Sequence, residues 1–208
     1  MLTQATVREY AAALASGEPT PGGGSAAALV GALGAALGEM VSNFTAGKEG
    51  WEQVEPALAI LTTHRNALLD LTDQDAEAYA GVGAAYKLPR GTDEEKTARA
   101  AAIQEALKAA AQVPLAVIDH VCAAVEALPT ILEHGNRNLV SDVGVAADFA
   151  QSALRCAWLN VEVNLASVKD DDYKTEIRER MQASISAAEE TAAEVWDATL
   201  ALVTGTTE

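Results

Sequence analysis

Residues 19–48 read PTPGGGSAAALVGALGAALGEMVSNFTAGK, and this stretch decides the fold. Three consecutive glycines, Gly22, Gly23 and Gly24, leave the backbone free of Cβ atoms and able to approach another chain or a ligand closely. Ser25 follows, at a position suited to capping a helix. The segment after it predicts a helix from about Gly24 to Ala46, with Gly47 as its left-handed cap. Ala28, Gly31, Ala35, Gly38 and Ser42 recur every three or four residues and make one small-residue stripe. Each internal glycine costs about 1 kcal/mol against alanine, so the stripe implies close approach, most simply by neighbouring helices. The unsatisfied N–H groups and the dipole at such a helix start suit an anion or a polar ligand edge. No Lys-Ser/Thr follows the glycines, so this is not a Walker loop.

The rest of the chain reads as helix too. Its 208 residues suffice for a single domain over 1–208 with a substantial core. Half are hydrophobic but only 4% are aromatic, so alanine carries much of the packing. Beside the Gly24–Ala46 segment, helices are expected from Thr3 to Ser16, from Glu52 to Tyr86, and from a Thr92–Glu95 capping box onward. The last of these carries a proline at 114 that should kink it, and another at 129 that kinks or breaks it. Two more run from Val140 to Val168 and from Tyr173 to Val203. The expected architecture is all-α, a multihelical bundle of about five to six helices, several long. Thirty-residue helices span about 45 Å, more than the width of a compact monomer, which points to an elongated bundle completed by a second copy.

Charge and cysteine usage bound the surroundings. A net charge of −16 opposes nonspecific contact with nucleic acid or anionic membrane. The uncharged run Gly22–Gly38 is short and glycine-rich for a bilayer span. Two cysteines and no leader pattern favour a reducing cytoplasm. His64, His120 and His134 are scattered along the chain, and no metal-binding spacing, nucleophile elbow or redox-cofactor motif accompanies them. Neither a metal nor a cofactor is expected.

Several segments together resemble the cyclodeaminase/cyclohydrolase family of folate enzymes. They are TPGGGSAAAL with Thr-Ala-Gly-Lys at 45–48, DQDAEAYAGVGAAYKLPR at 73–90, IQEALKAAAQVPL at 103–115, GNRNLVSDVGVAA at 135–147 and LNVEVNL at 159–165. They occur in family order, with Arg137 and Leu139 departing from the pattern. The resemblance implies an intertwined homodimer of multihelical subunits acting on a tetrahydrofolate derivative as substrate. One family reaction adds water to the 5,10-methenyl cation and opens it to the 10-formyl form. The other closes 5-formiminotetrahydrofolate to the same cation and expels ammonia. The lack of a fused second domain favours the hydrolysis. A noncatalytic folate- or pterin-binding dimer and a structural helical adaptor are the competing readings.

The resemblance also selects residues. Lys48, just past the small-residue helix, and Asp142, in the first turn of a later helix, become the catalytic candidates: a cationic donor and a carboxylate for an amidinium-like cation. On residue chemistry alone, each is equally a charge placed to suit a helix dipole. Pro21, Gly22, Gly23, Gly24, Ser25, Thr45, Asp75, Gln104, Asn136, Ser141, Asn160 and Asn164 are the substrate-binding candidates. Asp75 is chosen over Asp73 and Glu77 because it matches the family segment. Asp142 and Asn160 stand roughly 27 Å apart along one helix, so one subunit's copies cannot serve the same atom. Lys48, Lys108 and Arg155 are candidate contacts for an anionic substrate tail.

Overall fold

A computed structural model describes residues 1–206. The described residues form seven α-helices and no strand. They are α1 (Val7–Leu14), α2 (Gly23–Asn43), α3 (Trp51–Tyr86), α4 (Asp93–Val125), α5 (Leu128–His134), α6 (Val140–Leu165) and α7 (Asp171–Thr204). Short 3-10 turns cover Leu2–Gln4 and Arg137–Leu139. The bundle is all-α with several long helices, as the sequence indicates.

Helix ends differ from the sequence reading in instructive ways. The first helix is shorter than expected because Thr6 and Glu9 form its capping box, while Thr3 is drawn away to the Asp73 carboxylate. Ser25 is not the cap of α2; Gly22 is, and it has no side chain to offer. Ser25 lies buried inside the first turn, its hydroxyl 3.0 Å from that of Tyr10. α2 also stops at Asn43, so the left-handed Gly47 (φ +70°) belongs to the following turn. α4 runs on through Pro114, and at Pro129 the chain has already broken into α5. α6 ends at Leu165, one turn early, and α7 starts two residues before Tyr173, capped by Asp170.

α2 lies at the centre, against α3 on one side and α6 on the other. Its glycines set the spacing. A Cβ on Gly31 would stand 2.8 Å from Val121, one on Gly38 2.7 Å from Leu61, and one on Gly34 3.1 Å from the Ala146 carbonyl. α2 and the segment 93–134 are each long and apolar enough to cross a membrane, and about half of each qualifying stretch is packed inside the bundle.

Two apolar rows remain outside that core. Ala26, Val30, Leu33, Leu37, Met40 and Phe44 follow one another at alternate spacings of four and three along α2, and Val145, Phe149, Ser152, Cys156, Leu159 and Val163 do so along α6. Every one is half-buried or exposed, with Leu33 47%, Phe44 54%, Leu159 69% and Val163 72% exposed.

Candidate functional site

The glycine-rich start of α2 has four N–H groups to satisfy and no capping side chain of its own. Asp75 of α3 supplies the missing acceptor. Its Oδ2 accepts the Ser25 N–H at 3.0 Å. A Cβ on Gly24 would fall 2.1 Å from Asp75 Oδ1, so only glycine lets the carboxylate come this near. Burial pushes the Asp75 carboxyl above the usual carboxylate range, and the Ser25 N–H partly opposes the shift. The neighbouring acids do other work: Asp73 holds the Leu2 N–H and the Thr3 hydroxyl, and Glu77 is exposed.

Around Asp75 opens a cleft of about 510 Å³, walled by Pro19, Thr20 and Gly22–Gly24, by α3, by Leu107 and Ala110 of α4, and by α6. The α3 wall presents Asp75, Ala78, Tyr79, Val82, Gly83 and Tyr86. The α6 wall presents Asn160, Val163 and Asn164, and Ser167 of the turn after α6 adjoins them. Each asparagine donates its Nδ2–H to the carbonyl one turn back, Cys156 at 2.8 Å and Asn160 at 3.0 Å, which leaves the amide oxygens as acceptors. The volume lies in the range of small-molecule sites, roughly 300–1,000 Å³. Tyr79 and Tyr86 were not singled out in the sequence, although they sit four and eleven residues after Asp75 on the same helix face.

The other end of α2 forms a second, smaller cleft of about 380 Å³ lined by Thr45, Lys48, Glu49, Gly50, Glu133, His134, Gly135, Asn136 and Arg137. Thr45 is buried; its hydroxyl donates to the Val41 carbonyl and accepts the Asn136 N–H at 3.0 Å. Lys48 is exposed and donates to the Phe44 carbonyl at 2.8 Å, meeting the helix end as a dipole-favoured cation does. Asp142, half-buried, lies outside that wall. α2 and α6 run antiparallel, since Gly23 approaches Asn160, Gly31 approaches Ala153 and Gly34 approaches Ala146. That register carries Asp142 to the last turns of α2, the Lys48 end.

The sequence-chosen residues thus divide. Gly22, Gly23, Gly24, Asp75, Asn160 and Asn164 line the larger cleft, with Ser25 just behind it. Thr45, Lys48 and Asn136 line the smaller one. The 21-residue α2 separates them by about 30 Å. Pro21 is buried and outside the cleft wall. Gln104 does not line the cleft either: its amide clamps the α6–α7 turn, donating to the Ser167 carbonyl and accepting the Lys169 N–H. Ser141 borders a different, apolar cleft with Trp196, Thr199 and Leu200. Of the cations expected to meet an anionic tail, Lys108 is paired with Asp170 and Arg155 with Glu189, while Lys48 has His134 and Arg137 along the same wall. The histidines are not all scattered: His64 and His120 meet between α3 and α4.

A family model described as formiminotransferase-cyclodeaminase matches residues 6–183. The chain belongs to the formiminotransferase-cyclodeaminase family. It is 45% identical over 188 residues to a methenyltetrahydrofolate cyclohydrolase of Methylorubrum extorquens, covering 88% of this chain and 90% of that protein. It is 35% identical over 196 residues to the formimidoyltransferase-cyclodeaminase of Rattus norvegicus, covering 92% of this chain but 36% of the rat protein. The crystal structure of a formiminotetrahydrofolate cyclodeaminase from Thermotoga maritima superposes with a TM-score of 0.78 at 32% identity, over 99% of this chain and 98% of that one. The family reading from the sequence stands. Domain context does not separate hydrolysis from deamination, because the Thermotoga cyclodeaminase chain has nearly the same extent as this one.

Proposed function

We propose that this protein hydrolyses 5,10-methenyltetrahydrofolate to 10-formyltetrahydrofolate, with Asp75 as the group that moves the proton. The observation that carries the proposal is the half-buried Asp75 carboxyl in the larger cleft, laid on the uncapped start of α2. Near full-length identity of 45% to a cyclohydrolase favours hydrolysis over deamination.

The chemistry sets the requirements. Water adding to the methenyl carbon must lose a proton, giving a tetrahedral carbon between N5 and N10. Breaking the bond from that carbon to N5 then requires a proton on N5 and removal of the hydroxyl proton. One carboxylate with a raised pKa can accept the first proton and return it. Its negative charge also steadies the methenyl cation. Tyr79 and Tyr86 offer flat surfaces for a bicyclic ring system, and the Asn160 and Asn164 amide oxygens accept from its N–H groups. No step in this scheme calls for a metal or redox cofactor.

A homodimer completes the site in this proposal. Antiparallel pairing of the exposed α2 row across a twofold axis brings each Lys48 end against the other subunit's glycine loop. Lys48 and Asp142 then join Asp75, Asn160 and Asn164 from the opposite chain, and Lys48, His134 and Arg137 meet an anionic tail. The thiols of Cys122 and Cys156 and the acidic surface suit a cytoplasmic enzyme.

The test measures both reactions side by side. Loss of the methenyl chromophore faster than in buffer supports the proposal. Ammonia release from 5-formiminotetrahydrofolate without chromophore loss makes the protein a cyclodeaminase, the second reading favoured by the Thermotoga and rat relatives. Folate binding with neither reaction makes it a binding protein.

A further inference from the structure

His64 of α3 and His120 of α4 are separated by 56 residues, yet their Nδ1 atoms stand 2.8 Å apart. The ring centroids are 5.1 Å apart and the planes are tilted by 50°. Both side chains are half-buried. Nothing in the proposed folate chemistry uses them: His64 precedes Asp75 by eleven residues, about 16 Å of helix rise.

We propose that His64 and His120 form a two-imidazole site for a borderline divalent transition-metal ion that cross-links α3 to α4. The geometry selects the ion. Nitrogens about 2.05 Å from a metal and 2.8 Å apart subtend roughly 86° at it. A tetrahedral site would need about 3.3 Å between them at the same bond length. The pair therefore fits adjacent corners of a tetragonal ion, the preference of Cu(II) and Ni(II). Among the described residues no group of three His, Cys, Asp or Glu side chains stands close enough to hold a metal, so water fills the remaining positions.

Burial and the facing His120 hold the His64 imidazole below its ordinary 6.5, which favours its neutral form with a lone pair to give. The hydrogen bond requires one Nδ1 to carry a proton. On metal binding that ring moves its proton from Nδ1 to Nε2, and no net charge is released. Glu126 lies near enough to act on His64 and carries the sign that favours a cation, while Asp119, which precedes His120, is paired with Arg180.

The experiment titrates tag-free, full-length protein with CuCl₂, NiCl₂, ZnCl₂ and MgCl₂ by calorimetry in a non-chelating buffer. Electron paramagnetic resonance of the Cu(II) form counts the nitrogen ligands. The expected result is one Cu(II) per chain with two imidazole nitrogens, weaker Ni(II) and Zn(II), no Mg(II), and thermal stabilisation on loading. His64→Asn and His120→Asn should each lower Cu(II) affinity by at least about tenfold, while His134→Asn leaves it unchanged. Circular dichroism of the metal-free variants establishes that they fold. Should an asparagine variant unfold, the His64→Leu/His120→Leu pair, apolar in the same seam, must also lose Cu(II). No Cu(II) binding by the wild type, affinity unchanged in His64→Asn, or loss confined to His134→Asn would each overturn the site.

Discussion

Asp75 joins two tasks that chemistry usually divides: it satisfies a helix start and it is the carboxyl with a raised pKa. Asp75→Asn keeps an acceptor for the Ser25 N–H but cannot carry the proton. Turnover should fall by about 10²–10⁴ with the helical spectrum intact, measured by steady-state loss of the methenyl chromophore and circular dichroism. The pH dependence has a definite sign. The folded protein holds the Asp75 proton more tightly than the unfolded chain, so this group adds stability as pH falls through its raised folded pKa, levelling below 3.8. In the proposed reaction its deprotonated form takes the proton from water, so kcat/KM should drop on the acid side with an apparent pKa above 3.8. Asp75→Asn removes that limb, and an unchanged profile in the variant would count against the role. Gly24→Ala should mimic Asp75→Asn, because its Cβ occupies the carboxylate's place. Asp142→Asn should lower turnover about 10²–10³-fold with substrate affinity nearly unchanged, and Lys48→Met should lower turnover by as much while also weakening binding of the anionic tail. A surface lysine that merely suits the α2 dipole is worth at most about 1 kcal/mol of stability and leaves turnover intact. At this scale the sequence was legible where residue type limits the options, as at the triple glycine. It misled at Ser25, because a serine after glycines suits a cap equally well whether or not a carboxylate arrives from another helix.

Helices respond to space as well as to propensity. Gly31→Ala and Gly38→Ala each add about 1 kcal/mol of helix propensity, but their methyl groups meet Val121 and Leu61 at 2.8 and 2.7 Å. Overpacking in a close-packed core typically costs about 1–3 kcal/mol, so each variant should be net destabilised in urea unfolding, and the two together more so. A gain in stability at either site would show that α2 has slack the contacts do not reveal. The α6–α7 turn depends on Gln104, which holds both Ser167 and Lys169; Gln104→Ala should loosen that turn and speed its amide exchange without changing the chemistry at Asp75. Helix type and order were readable from periodicity and from the capping box at Thr92, whereas the break into α5 at Pro129 and the Thr6–Glu9 box were not. Helix ends were harder, as the α6–α7 turn shows: the sequence starts the last helix at Tyr173, yet Asp170 caps α7 and the two acids after it join the helix.

The whole molecule makes the sharpest demand, because Lys48 and Asp75 lie at opposite ends of α2. Mixing Lys48→Met subunits with Asp75→Asn subunits should restore activity if a site draws one residue from each chain. Random exchange makes half the dimers mixed, each with one intact site of two, so recovery should approach about one quarter of the wild-type rate. A site contained in one chain predicts none. Thiol labelling offers an independent check on the exposed row. Burial pushes the Cys122 thiol up to about 11, so it should resist alkylation at neutral pH. Cys156, exposed in one chain, should become protected on dimerisation and react in a Leu33→Lys/Leu159→Lys variant that cannot associate. The sequence could not display these two ends as halves of one site, since in the proposed homodimer their meeting depends on a second chain. The same central helix has one more consequence, for the order in which the protein is made. Synthesis delivers Ser25 fifty residues before Asp75, the carboxylate that receives its N–H. Until α3 has emerged, the glycine-rich start of α2 has only water to bind, and its interior glycines weaken it as an autonomous helix. The two helices therefore order together, so a ribosome stalled between them holds a chain whose future centre is still unformed.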